Sequence, residues 1–171
     1  MKLIKAILLS FAMLFALNTA VAQDKTAGTA LDKVTTAYFD LKNDLAEDNS
    51  AAAKTAGKNL LTAVNALKAH SLSAPQQKIW VAYLGKLQFD SKHISEAPSI
   101  EHQREHFANL SKNMSIVVSG SKANTTAVYE QYCPMKKASW LSESTEIKNP
   151  YYGKSMLTCG TVKETFAANV K

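Results

Sequence analysis

Ser99-Ile100-Glu101-His102-Gln103-Arg104-Glu105-His106-Phe107-Ala108-Asn109-Leu110-Ser111-Lys112-Asn113-Met114-Ser115-Ile116-Val117-Val118 decides the fold. Ile100, Gln103, Phe107, Leu110, Met114 and Val117 step by three and four, close to a seven-residue repeat, which is the buried stripe of an amphipathic helix. Pro98 interrupts the pattern before it, and Ser99 can cap its first turn.

Three more helices precede it. Leu31, Val34, Tyr38, Leu41 and Leu45 form a stripe within 29–45, and Asp48-Asn49-Ser50 is a polar break that can cap the next helix. Ala53, Ala56, Leu60, Leu61, Val64 and Leu67 make a second stripe that is expected to end near His70. Ser73-Ala74-Pro75-Gln76 reads as a helix start, with Ser73 as cap, Pro75 in the first turn and Gln76 completing a capping box. The third stripe is then Ile79, Tyr83, Leu84, Leu87 and Ile94. Four such helices with short links predict a mainly α chain, an antiparallel four-helix bundle.

Beyond the fourth helix the periodicity fades. The stretch 119–125 is small and polar, a loop, and Val128, Tyr129 and Tyr132 suggest a short strand within 126–132. From Cys133 to Gly160 the chain is irregular but too apolar for a free tail, so it is expected to pack on the bundle, with a last short helix over 161–170. Trp140, Tyr151 and Tyr152 serve there as hydrophobic anchors or as the lining of a small-ligand pocket.

Lys2 and Lys5 precede an apolar run from Ala6 to Leu17, and Ala20-Val21-Ala22 supplies a small-residue cleavage pattern. Residues 1–22 therefore read as a signal peptide and 23–171 as one domain of 149 residues, with a Cys/Met-rich segment from about 126 to 171. The expected location is the periplasm, with no membrane span after cleavage. Loss of the two leader lysines takes the net charge from +6 to +4, and the remaining basic residues are scattered among acids, which argues against nucleic acid.

The chain has two cysteines, Cys133 and Cys159, each with a methionine two or three residues away, Met135 and Met156. Thiolate and thioether sulfur suit Cu(I) and similar soft ions. An oxidising compartment equally favours a Cys133–Cys159 disulfide, and the two readings stay open. His106 flanks the apolar stripe and is the best nitrogen candidate; His102, one turn away, reads as solvated, and His93 and His70 as structural or solvent-facing. No nucleophile elbow, phosphate-binding glycine loop or Cys-x-x-Cys spacing occurs, so an enzyme is the weaker class.

Tyr129-Glu130-Gln131-Tyr132-Cys133-Pro134-Met135, Trp140-Leu141-Ser142-Glu143, Ile147-Lys148-Asn149-Pro150-Tyr151-Tyr152-Gly153 and Met156-Leu157-Thr158-Cys159-Gly160 resemble a family of exported bacterial domains of unknown function. The helical part resembles it more loosely, through Arg104-Glu105-His106-Phe107 and Leu110-Ser111. That family also occurs as a module on periplasmic adaptor subunits of heavy-metal efflux systems. The resemblance thus implies copper as ligand and a metal-efflux adaptor as partner. Family members often carry an insertion with Asn and Gly between Cys-Pro-Met and Trp-Leu-Ser. Here only Lys136-Lys137-Ala138-Ser139 intervenes, which limits how freely Met135 is positioned.

Overall fold

The computed structural model describes residue 28 and residues 30–169; the expected signal peptide lies outside them. Four helices come first: α1 over 30–46, α2 (Ser50–Ala66), α3 (Ala74–Glu96) and α4 (Ile100–Ser121). Their links, 47–49, 67–73 and 97–99, are short enough to hold neighbours antiparallel. Three strands come after them, β1 (Val128–Cys133), β2 (Ala138–Ser142) and β3 (Thr161–Phe166), forming an antiparallel sheet in the order β2-β1-β3. A mainly helical bundle with a C-terminal extension packed on it is the predicted architecture.

Helix starts show the predicted capping chemistry. The Asn49 side chain accepts the Ala52 N–H at 3.1 Å, and the Ser99 hydroxyl accepts that of His102 at 3.3 Å. Gln76 Oε1 accepts the Ser73 N–H at 3.0 Å, fixing the start of α3, while its amide reaches the Ser121 carbonyl at the end of α4. The α1 stripe Leu31, Val34, Tyr38, Leu41 and Leu45 is buried throughout, as are Phe107, Leu110, Met114 and Val117 of α4. One contiguous core joins these residues to Val128, Cys133, Trp140, Leu141 and Tyr151 of the extension.

Several expectations are corrected. Helix α2 stops at Ala66 because Leu67 turns extended and is buried; His70 sits in a separate 3-10 turn, Ala69–Ser71. In α3 the buried line is Trp80, Leu87 and Ile94, whereas Ile79, Tyr83 and Leu84 only flank the core. Leu87 and Ile94 are buried as expected, and only the first member moves, from Ile79 to Trp80, which gives a seven-residue repeat. Helix α4 runs into the predicted loop and ends where Lys122 adopts a left-handed conformation, φ 47°.

The final segment is a strand, not a helix: Thr161, Val162 and Thr165 are β-branched, and their backbone completes the open edge of β1. A register shift at Glu130/Gln131 marks a bulge opposite Lys163, whose ammonium pairs with Glu130 at 2.9 Å.

The extension is fastened to the bundle by specific polar contacts. Tyr38 of α1 shares a 2.7 Å hydrogen bond with Ser111 of α4 and accepts the Leu141 N–H of β2 at 3.1 Å. Lys42 of α1, buried, meets Glu143 just past β2 at 2.8 Å. Arg104 of α4 donates to the Pro150 and Leu45 carbonyls, both at 2.8 Å, and to Asp48 at 2.6 Å.

Candidate functional site

Strand β1 ends at Cys133, whose partner across the hairpin is Ala138. Pro134 presets the first turn position, and Lys137, at φ 57°, closes the loop with its N–H on the Cys133 carbonyl at 2.8 Å. This geometry folds the chain back over the sulfur, so that the Lys136 N–H points at Cys133 Sγ from 3.4 Å.

Cys159 arrives from the opposite direction. Residues Gly153–Met156 form a 3-10 turn, and the Cys159 N–H donates to the Met156 carbonyl at 3.0 Å. Gly160 then allows a close crossing: a Cβ there would lie 2.8 Å from the Trp140 ring and 3.1 Å from the Tyr132 carbonyl. The crossing brings Cys159 Sγ to 3.9 Å from Cys133 Sγ. The two sulfurs are not bridged in this structure; Cys133 is buried and Cys159 half-buried.

Asn149, fully buried, organises this end of the molecule, a role that spacing alone did not reveal. Its amide donates to the Cys159 carbonyl at 2.7 Å, its side-chain oxygen accepts the Tyr151 N–H at 2.9 Å, and its own N–H reaches the Leu157 carbonyl at 2.8 Å. The neighbouring Pro150 and Gly153 were the available signal of an ordered turn. Gly153 has φ 55°, and a side chain there would collide with the Asp48 carboxylate and the Arg104 guanidinium.

The two thiols are electrostatically unequal. Burial pushes Cys133 up, but the backbone N–H groups of Lys136 and Met135, the Asn149 amide and the Cys159 thiol outweigh it, and the net shift is downward. Cys159 is pushed up by burial and by the sulfur of Cys133 beside it. The pair therefore loses its first proton more easily than its second, and a cation between the sulfurs would favour release of both.

Met135 lies in the hairpin loop and is 64% exposed, whereas Met156 is half-buried at the end of its turn. The structure thus joins the two cysteines and leaves one methionine beside each in the chain. His106 is not with them: its Nδ1 is 3.1 Å from Asp90 of α3, and its ring stacks on His93 with centroids 4.8 Å apart. Among the described residues no three His, Cys, Asp or Glu side chains are grouped to hold a metal ion.

The aromatic residues of the extension are anchors. Trp140 and Tyr151 are buried and meet edge to face, and Tyr151 contacts Phe107, which stacks on Tyr38. A ligand pocket lined by Trp140, Tyr151 and Tyr152 is not what this packing builds.

The family model described as "Protein of unknown function (DUF3347)" matches residues 34–126. The chain belongs to this family. No curated protein and no solved structure matches it. The match covers the helices, including Arg104, Phe107, Leu110 and Ser111, and stops before Cys133, where the sequence resemblance had been densest. In the family's helical part, Arg104 and Phe107 hold the extension in place, through Pro150 and Tyr151. Among the described residues no helix is long and apolar enough to cross a membrane.

Proposed function

We propose that this chain is an exported, non-enzymatic protein that binds a soft metal ion, Cu(I) foremost. It acts in the periplasm as carrier, buffer or accessory to a metal-efflux adaptor, from the single domain 23–171. The observation that carries this reading is the 3.9 Å separation of two sulfurs on turns held by one buried asparagine. Two thiolates sharing a tetrahedral ion at the usual metal–sulfur distance would be about 3.8 Å apart, so the pair needs almost no rearrangement to share one.

Met135 and Met156 complete the proposed donor set. The exposed loop leaves Met135 free to move toward the ion, and thioether donors hold Cu(I) loosely enough for transfer while the thiolates retain it. The resemblance to modules of metal-efflux adaptors supports the same reading. Anaerobic titration of the reduced protein with Cu(I) against a competing chelator tests it, together with Met135→Ala and Met156→Ala.

The same proximity favours a second reading, an interaction module whose extension is pinned by a Cys133–Cys159 disulfide. Mass measurement of periplasmic protein before and after alkylation separates the two: a mass gain of two alkyl groups without reductant supports the metal site, and none supports the bridge.

A further inference from the structure

The face that α3 turns to solvent is apolar. Val81, Ala82, Gly85 and Phe89 recur at three- and four-residue spacing and are all exposed, Val81 at 58% and Phe89 at 56%. Beside them Ile116 of α4, 37% exposed, borders a groove of about 590 Å3 between the two helices, with Tyr83, Lys86 and Lys112 on its walls. We propose that this strip and groove are a docking site for an amphipathic helix of an acidic partner protein.

Apolar residues on both sides of one helix call for two partners. The inner line Trp80, Leu87 and Ile94 is buried in the bundle core, where α3 packs against α2 and α4. A helix face meant for water carries polar and charged residues opposite that line, and positions 81, 82, 85 and 89 carry none. Phe89 leans on the His93 ring, with centroids 4.0 Å apart, and still leaves more than half of its surface open.

Gly85 is an independent sign of close approach. Glycine weakens a helix interior, and a near neighbour is the usual reason to keep one. Gly57 and Gly120 have such a reason: a Cβ would lie 3.1 Å from Ile94 at the first and 2.8 Å from Ile79 at the second. At Gly85 a Cβ would meet nothing within 4 Å. The bare backbone lies in the middle of the exposed strip, where it lets a second helix axis come near.

Charge selects the occupant. Lys78, Lys86 and Lys92 of α3 and Lys112 of α4 are exposed, and among the described residues no carboxylate pairs with any of them. The Lys86 ammonium stands 4.8 Å above the Tyr83 ring at the groove wall. Asp90 is the one acid of α3 before Glu96, and its carboxylate is buried against His106. Glu101 and Glu105 of α4 precede the residues that line the groove. A second copy seated on the same strip would set lysines against lysines, whereas a helix with acids beside its apolar line meets them with opposite charge.

The test is titration of the isotope-labelled full chain with two synthetic helical peptides. Both carry the same line of leucines at three- and four-residue spacing, flanked by glutamates in one and by lysines in the other. The glutamate peptide is expected to saturate and to shift the amide signals of Gly85, Phe89 and Ile116, and the lysine peptide to bind about tenfold more weakly or worse. Gly85→Gln, which should keep or raise Tm, and Lys86→Glu combined with Lys112→Glu should each weaken the glutamate peptide about tenfold or more. No saturation up to about 1 mM, equal affinity for the two peptides, an unaffected Gly85→Gln variant or shifts centred away from α3 and α4 would overturn the proposal. So would a dimer in sedimentation that Phe89→Ser dissolves, which would assign the strip to a second copy. Failure of Cu(I) binding at the sulfurs would leave this result untouched, because the probes and the variants differ.

Discussion

The side-chain amide of Asn149 donates to the Cys159 carbonyl at 2.7 Å, and the same buried residue supports the thiol of Cys133. One uncharged side chain thus sets the relation between two cysteines that are 26 residues apart in the chain. Asn149→Ala removes its contacts and leaves the Tyr151 N–H without its partner. It should cost about 1–3 kcal/mol in denaturant unfolding and raise the alkylation rate of Cys159 in the native protein. An unchanged alkylation rate would mean that the turn holds without the amide.

Gly153 should tolerate no side chain. Its φ of 55° and the Asp48 and Arg104 groups packed over its Cα both oppose a Cβ. Gly153→Ala is expected to destabilise by about 2 kcal/mol or more, read as a drop in Tm, because the strain and the displaced ion pair add.

Arg104 links three segments, and its effect depends on pH. The hydrogen bond from Arg104 holds the Asp48 carboxyl below its ordinary range, with the Lys154 N–H assisting. A depressed carboxyl contributes stability that is present above its unfolded value, near 3.9, and lost as pH falls through the lower folded value. At neutral pH Arg104→Leu should be less stable than wild type by about 2 kcal/mol, mainly through the lost carbonyl contacts. The gap between their unfolding curves should begin to narrow as pH falls below about 4, where Asp48 protonates in the unfolded chain, and should finish narrowing below its lower folded value, where only the carbonyl contacts still distinguish them.

Lys42 is buried in α1, and burial pulls its ammonium down while Glu143 holds it up. Glu143→Gln leaves that charge with an inferior partner and should cost about 1–2 kcal/mol, less than a fully buried pair because Glu143 is 43% exposed. Lys42→Met added to Glu143→Gln should recover most of the loss. A double variant no better than the single would show that the pair stabilises by more than it costs to bury.

The helices were legible because their burial repeats locally. Spacings of three and four in α1, α2 and α4, with Asn49, Ser73 and Ser99 before helix starts, state both the element and its inner face. In α3 the buried Asp90 and Ser91 interrupt the apolar stripe, and Ile79 and Tyr83 are apolar yet only flank the core, so local spacing does not single out Trp80 as the buried position. Strand β2 is buried at Trp140, Leu141 and Ser142 in succession, so it has no alternation to read, and β3 is an exposed edge whose Lys163 and Glu164 look helical. The cysteine pair was suggested by composition, but its meeting point depends on Asn149 and on the Gly160 crossing. The displacement of His106 to α3 depends on Asp90, 16 residues and a helix–helix turn away, which no local spacing encodes.

The central claim is tested most directly by anaerobic Cu(I) titration of reduced protein in the presence of a competing chelator. One tightly held equivalent is expected, weakened by Met135→Ala or Met156→Ala and lost when both cysteines are alkylated. Absence of saturable binding, or binding indifferent to both methionines, would contradict the account.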